Sequence, residues 1–140
     1  MGYQTAIFTR TYDETLNMIV EARNYMTHVE PKVSLRLRGS SDLRFSCEAL
    51  RVTSRLTQVM AWLMLQRAVL CGEISVEEAC LDCNRLSAHD VCLDTVAMDD
   101  NSLPIGLRSL LDRSYHLYLR VSRLEEMVLV RVGTSMRAIH

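Results

Sequence analysis

The chain has 140 residues, of which 49% are hydrophobic and 24% are charged, and its formal net charge is −1. This length and composition are typical of a folded globular domain and exclude a disordered chain. The even balance of charge argues against nucleic-acid binding, because nucleic-acid-binding proteins concentrate a basic surplus on one face. We predict a single domain over residues 1–140, with a short frayed tail over residues 134–140.

The N-terminal residues lack the basic stretch followed by an apolar stretch that marks a secretory signal. The longest strongly apolar run, Val59 to Leu65, is far shorter than the roughly 20 residues that span a bilayer. The sequence therefore predicts a cytoplasmic protein that does not enter a membrane, and its five cysteines are expected to be reduced.

The first predicted helix runs from Phe8 to Glu30 and stops before Pro31, since proline disfavours helix in the residue that precedes it. Residues at alternating spacings of four and three define its buried side: Phe8, Tyr12, Thr15, Ile19, Ala22, Met26 and Val29. Residues 31–41 are predicted to form an extended loop over one end of the bundle.

The second predicted helix runs from Asp42 to Leu70. Its core seam comprises Phe45, Ala49, Val52, Leu56, Val59, Leu63 and Leu70. A second seam lies on the opposite side and is flanked by Trp62 and Met64; it comprises Leu50, Ser54, Thr57, Ala61 and Leu65. A helix that is apolar nearly all round is central or contacts a partner.

The second seam is redundant for a core, and its small residues would let two helices approach closely. We therefore predict that this seam, or the flanking Trp62 and Met64, forms the interface of a two-fold homodimer. The alternative is that the short helix beginning at Ser75, or the loop at Pro31, covers this seam.

A capping box at Ser75 and Glu78 opens a short helix that is predicted to reach Ala88. After an acidic connection, the last predicted helix runs from Pro104 to Val132. Its apolar stripe comprises Leu107, Leu110, Leu111, Ser114, Leu117, Tyr118, Val121, Leu124 and Val128. The fold class predicted is all-α, an antiparallel three-helix bundle with an additional short helix.

The sequence contains no phosphate-binding loop and no nucleophile elbow. Asp112, Ser114 and His116 are close in sequence but point in different directions on a helix, so they are not expected to form a catalytic triad. We predict that the protein is not an enzyme and needs no cofactor.

Cys80 and Cys83 form a CxxC motif, and Cys71, His89 and Cys92 are nearby. Such a set could bind zinc tetrahedrally. The motif falls within a predicted helix, however, and a free cysteine also packs as a small hydrophobic residue. We predict that no metal is bound.

Five polar residues interrupt the apolar second helix, namely Arg51, Arg55, Gln58, Gln66 and Arg67. A polar group on such a helix costs burial energy unless it has a partner, so these residues are candidates for partner binding. Arg55 and Gln66 lie beside the core seam and could instead bond to other helices, whereas Arg51 and Gln58 point further outward.

The central stretch LRVTSRLTQVMAWLMLQRAV, residues 50–69, followed by GEIS at 72–75, resembles the signature of the RcdA family, named for the regulator of CtrA degradation in alphaproteobacteria. Segments of the flanking helices agree in order: TYDETL at 11–16, VEARNY at 20–25, LP at 103–104 and LLDRS at 110–114. The cysteine set is not part of this pattern.

The resemblance implies a three-helix bundle, often dimeric, that is not an enzyme but an adaptor for the protease ClpXP. It implies that the adaptor joins ClpXP after the response-regulator-like protein CpdR has primed the protease, and that it delivers cell-cycle regulators such as CtrA for degradation. The alternative is a structural or regulatory helical dimer without a role in proteolysis.

Overall fold

The computed structural model describes residues 2–28, 40–98 and 100–139. These residues form five α-helices, with a short 3-10 turn at Asp82–Asn84: α1 (Gly2–His28), α2 (Ser40–Leu70), α3 (Val76–Ala79), α4 (His89–Cys92) and α5 (Ile105–Ile139). No strand occurs within the described ranges, and the prediction of an all-α bundle is confirmed. Most of the predicted loop over residues 31–41 lies outside the described residues.

Helix α2 is central, because its contacts with α1 and with α5 are more extensive than those between α1 and α5. The predicted core seam of α2 is confirmed except at its end, since Leu70 is 46% exposed at the last residue of the helix. The buried residues of α2 that form this seam are Phe45, Ala49, Val52, Leu56, Val59 and Leu63. The stripe of α5 is likewise buried, with Leu124 only partly so.

Contacts between the long helices fix their directions. Arg113 binds Glu21, with a guanidinium-to-carboxylate distance of 2.7 Å, and Arg120 binds Glu14. Because residue numbers rise along α5 as they fall along α1, these two helices are antiparallel. The side-chain hydrogen bond of the Arg113 pair holds the pKa of Glu21 below its usual value.

Helix α1 is also antiparallel to α2, since Phe8 contacts Trp62 near one end and Tyr25 stacks on Phe45 near the other. Helices α2 and α5 consequently run in the same direction. A parallel pair requires a connection that returns along the length of the bundle. Residues 71–104 make that return. Among the long helices, α1 is therefore antiparallel to both α2 and α5, whereas α2 and α5 are parallel to each other.

The short helical segments differ from the prediction in extent. The capping interaction is confirmed, because the Ser75 hydroxyl accepts a hydrogen bond from the Glu78 amide at 3.0 Å. The helix that it opens ends at Ala79 rather than Ala88, and a separate one-turn helix, α4, follows. Helix α5 continues past Val132 and through Gly133 to Ile139, because a single glycine costs only about 1 kcal/mol within a helix.

Candidate partner-binding site

The returning segment of residues 85–98, here called the connector, lies along α2 and is held there chiefly by Arg55. This side chain is fully buried. Its Nε donates to the carbonyl of Cys92 at 2.8 Å, and its Nη2 donates to the carbonyl of Asp94 at 2.9 Å. Its Nη1 donates to the carbonyl of Leu111 at 2.9 Å and to the Ser114 hydroxyl at 3.3 Å. Arg55 thus joins α2, the connector and α5.

The buried charge of Arg55 is stabilised by neutral groups. Burial lowers the pKa of Arg55, but a guanidinium remains protonated in proteins at neutral pH. The carbonyl oxygens it binds carry partial negative charge, and the ring of Tyr115 lies 5.3 Å from the guanidinium carbon. A planar guanidinium holds five donors in a fixed fork, whereas a lysine ammonium has three, so arginine can bind carbonyls of several segments in a defined geometry.

Arg51 lies one helical turn before Arg55 and also binds the connector. It donates to the backbone carbonyl of Val91, and its Nη2 lies 3.5 Å from the Asp94 carboxylate. Its Nε donates to the buried carboxylate of Glu48 at 2.9 Å, and this hydrogen bond raises the pKa of Arg51. Arg51 therefore binds the connector beside Arg55, at the edge of the buried site that Arg55 occupies.

Gln58 binds the connector one turn further along. Its Oε1 accepts from the amide of Ser87 at 2.9 Å and from the Ser87 hydroxyl at 3.1 Å. From the other side, the Tyr118 hydroxyl donates to the Ser87 carbonyl at 3.1 Å and lies 2.9 Å from His89 Nδ1. Ala88, which lies between Ser87 and His89, has a φ of +59°. A positive φ is uncommon for a residue with a side chain and requires support from its neighbours.

Glu125 of α5 holds the start of the connector. Its buried carboxylate accepts from the amide of Leu86 at 2.7 Å and lies 3.7 Å from the Arg85 guanidinium. The sequence analysis did not identify Glu125 or the role of Tyr118. A signal was present, because Glu125 follows Val121 by four residues and thus shares the buried side of the last helix.

Comparison with known proteins shows the family of the chain and a similar fold. A protein family described as of unknown function, DUF1465, matches residues 2–138. The chain belongs to this family. It is also similar to RcdA from Caulobacter crescentus CB15, whose crystal structure superposes with a TM-score of 0.69 at 34% sequence identity, covering 86% of this chain and 89% of that chain. No curated protein matches the chain.

For this DUF1465 family member, the structure corrects the predicted partner-binding set at Arg55. Arg55 is buried, so its assignment to a docking surface is wrong, and the alternative that it bonds to another helix is confirmed. Arg51 and Gln58 are half-buried and bound to the connector. They lie further outward than Arg55 and Gln66, as predicted, and their role in partner binding stays a prediction. Arg67 is exposed, with its guanidinium carbon 5.4 Å from the Tyr12 ring centroid, and remains a prediction. Gln66 is buried and lines a groove described below.

The predicted dimer seam is corrected at one residue. Trp62 is buried, and its ring packs edge-on against Phe8 with a centroid distance of 5.8 Å. It belongs to the core of the protomer, so its assignment to the interface is wrong. Leu50 and Met64 are 66% and 57% exposed. The remaining members of the seam are exposed or half-buried, and they stay a prediction: Ser54, Thr57, Ala61 and Leu65.

The cysteines do not form a cluster. Cys80 caps the end of α3 and Cys83 lies in the 3-10 turn, so the CxxC motif is not within a helix as predicted. Cys92 is buried beneath Arg55, and burial raises the pKa of its thiol. Within the described parts of the chain, no three cysteine, histidine or acidic side chains are close enough to hold a metal ion together.

Of Asp112, Ser114 and His116, only Ser114 points away from the others as predicted, because the Asp112 carboxylate lies 3.5 Å from His116 Nδ1. Ser114 is buried against Arg55, whereas the side chains of Asp112 and His116 are exposed. The ring Nδ1 of His116 lies 2.8 Å from the Asp112 carbonyl. These three side chains therefore do not meet at one site.

We expect the double substitution Arg51→Ala with Gln58→Ala to loosen the connector. It removes hydrogen bonds at two points along the connector, and each lost bond costs about 0.5–1.5 kcal/mol. The urea midpoint should fall, and amide hydrogen exchange should accelerate at Val91 and Cys92. Arg67→Ala on the same helix serves as a control because Arg67 does not touch the connector. Unchanged exchange in the double variant would contradict the assigned hydrogen bonds.

Proposed function

We propose that this chain is a protease adaptor that delivers cell-cycle regulators such as CtrA to ClpXP after CpdR has primed the protease. The observation that carries the proposal is the similarity to RcdA along most of both chains. It is supported by the motif over residues 50–69, whose polar residues hold the connector in place. An adaptor works by raising the effective concentration of a substrate beside the protease, so binding surfaces suffice for it.

The proposal that the chain is not an enzyme is supported by the use of its polar residues. Arg55, Ser114 and Glu125 are the kinds of residue that serve in catalytic sites, yet each is buried and bonded to backbone groups. A general base or nucleophile must reach a substrate. These residues instead stabilise the arrangement of the helices.

We further propose that the chain works in the cytoplasm. Within the described ranges, none of the helices combines the length and the apolar character needed to cross a membrane. The adaptor proposal requires access to ClpXP and CpdR, which the chain would meet in that compartment.

The exposed seam of α2 is proposed to mediate a homodimer. Leu50 and Met64 expose large apolar surfaces, and Thr57 and Ala61 between them are small. A two-fold axis beside Ala61 would bury the same patch on both protomers. The seam lies on the side of α2 opposite the core residues Val52 and Val59, so dimer formation would leave the bundle unchanged.

We expect Ala61→Glu to convert the dimer to a monomer in sedimentation velocity, because two carboxylates would meet at the axis. Ile105→Glu is a matched control, since Ile105 is 82% exposed and lies outside the seam. A wild type that is already monomeric at high concentration would overturn the dimer, as would an Ala61→Glu variant that sediments as the wild type does.

Binding distinguishes the adaptor from a structural or regulatory dimer without a role in proteolysis. Purified chain is immobilised and incubated with purified ClpX, CpdR and CtrA, singly and together. The adaptor proposal expects retention of CtrA and of ClpX when CpdR is present. Retention of none of these proteins by a chain that is folded and dimeric would favour the alternative.

A further inference from the structure

An open groove lies at the end of the bundle where α1 begins and α2 ends, and nothing in the adaptor proposal assigns it a role. Its volume is about 460 Å³, which is within the range of ligand-binding pockets. Four helices contribute to it: α1, α2, α3 and α5. Its walls include Phe8, Gln66, Val69, Val76, Val128 and Val132.

Gln66 is the unusual member of this groove. Its side chain is 96% buried, since its exposed fraction is 4%, and its Nε2 has no hydrogen-bond partner among the described residues. A buried amide group without a partner costs free energy, and native structures satisfy nearly all such groups. Because Nε2 is itself enclosed, the cost would be offset if the side chain turned toward the groove and the groove's occupant supplied an acceptor to this amide.

The walls and rim restrict what that occupant can be. The valine side chains require apolar groups, and Val76 and Leu70 are 37% and 46% exposed at the opening. The rim carries one charge of each sign, at Glu77 and Arg131, and Arg131 already donates to Gln4 at 2.9 Å. A rim of balanced charge does not favour an anion. A peptide with aliphatic side chains offers both required features, because its backbone carbonyls are neutral acceptors and its side chains are apolar.

We propose that this groove binds a short aliphatic peptide segment of a partner protein, with a backbone carbonyl of the segment accepting a hydrogen bond from Gln66 Nε2. The inference rests on the proposed function only in that the chain acts by binding other proteins. It adds the position of a docking site and the chemistry of the segment that occupies it.

The test uses a pool of capped pentapeptides whose three central residues are drawn from alanine, valine, leucine and isoleucine. A second pool has serine, asparagine and glycine at those positions, and octanoate represents an apolar anion. Two-dimensional NMR of the full chain follows the side-chain amide of Gln66 and the methyl groups of Val76 and Val132. The proposal expects shifts at these three residues with the aliphatic pool alone.

Two variants and a control locate the binding. Gln66→Leu keeps the volume but removes the donor, and should weaken binding of the aliphatic pool about tenfold, the effect of 1.4 kcal/mol. Val76→Glu places a charge at the half-exposed rim and should abolish binding, while thermal melting reports that the fold is retained. Ile105→Glu lies on α5 about 35 Å from the groove, at 1.5 Å per residue, and should bind as the wild type does.

Three outcomes would overturn the proposal: no shift with the aliphatic pool at millimolar concentration, equal shifts with octanoate, or wild-type affinity in Gln66→Leu. Because peptide binding is measured without the protease, its failure is separate from failure of the adaptor proposal. A chain that binds the pool but never alters degradation of CtrA would retain the groove and lose the adaptor role.

Discussion

Replacing Arg55 by leucine is expected to lower the free energy of unfolding by about 3–5 kcal/mol, the range seen when a buried polar network loses one member. Leucine leaves the carbonyls of Cys92 and Asp94 without their Arg55 donor, whereas the Leu111 carbonyl still accepts from the Ser114 hydroxyl. The loss is less than the sum of two unsatisfied carbonyls, because the connector can move outward and let water reach them.

Urea denaturation measures this loss, and hydrogen exchange shows where it occurs. The amide of Cys92, which donates to the Ala88 carbonyl in the wild type, should exchange much faster in Arg55→Leu. Arg67→Leu is the matched control, since Arg67 is exposed and its guanidinium carbon lies 5.4 Å from the Tyr12 ring centroid; its cost should stay within about 1 kcal/mol. An Arg55→Leu protein as stable as the control would contradict the buried network.

Replacing Trp62 by alanine is expected to cost about 3–5 kcal/mol, as is usual when a large aromatic side chain is removed from a core. The substitution leaves a cavity beside Phe8 and removes the edge-on contact between the two rings. The cost should be the same at low and high protein concentration, because Trp62 packs within one protomer.

Met64→Ala provides the comparison, since Met64 lies two residues away and is 57% exposed. Its effect on the stability of the protomer should be below about 1 kcal/mol. If Trp62→Ala changed sedimentation but left the unfolding free energy of the protomer unaltered, the residue would belong to an interface and its assignment to the core would fail.

The long helices could be predicted because each buries one periodic stripe. Val52, Leu56 and Val59 repeat at intervals that only a helix brings to one side, and all three are buried. Trp62 falls off that stripe on the helical wheel. It is buried because Phe8 reaches over it from α1, which is a contact between elements that no periodicity within α2 records.

The connector could not be predicted because its position rests on hydrogen bonds to backbone groups. Arg55 binds the carbonyls of Cys92 and Asp94, and any residue types at those positions would offer the same carbonyls. The sequence therefore indicated that Arg51, Arg55 and Gln58 need partners, and for Arg55 it left open a bond to another helix, but it did not indicate that the connector supplies the partners. The parallel direction of α2 and α5 was missed for the same reason.

The polar residues of the central motif, residues 50–69, thus have a structural role in this chain. Arg51, Arg55 and Gln58 hold the connector against α2, and the connector brings α5 back parallel to α2. The proposed dimer seam around Ala61 lies on another side of α2, and the proposed groove at Gln66 lies about three turns beyond Arg55 along the helix.

The most direct test of the adaptor proposal is the rate at which purified ClpXP degrades CtrA in the presence of CpdR, measured with and without this chain. We expect the chain to raise the initial rate, and we expect this effect to require CpdR. A rate that stays the same over a full titration of folded chain, with ClpXP, CpdR and CtrA all present, would contradict the adaptor proposal.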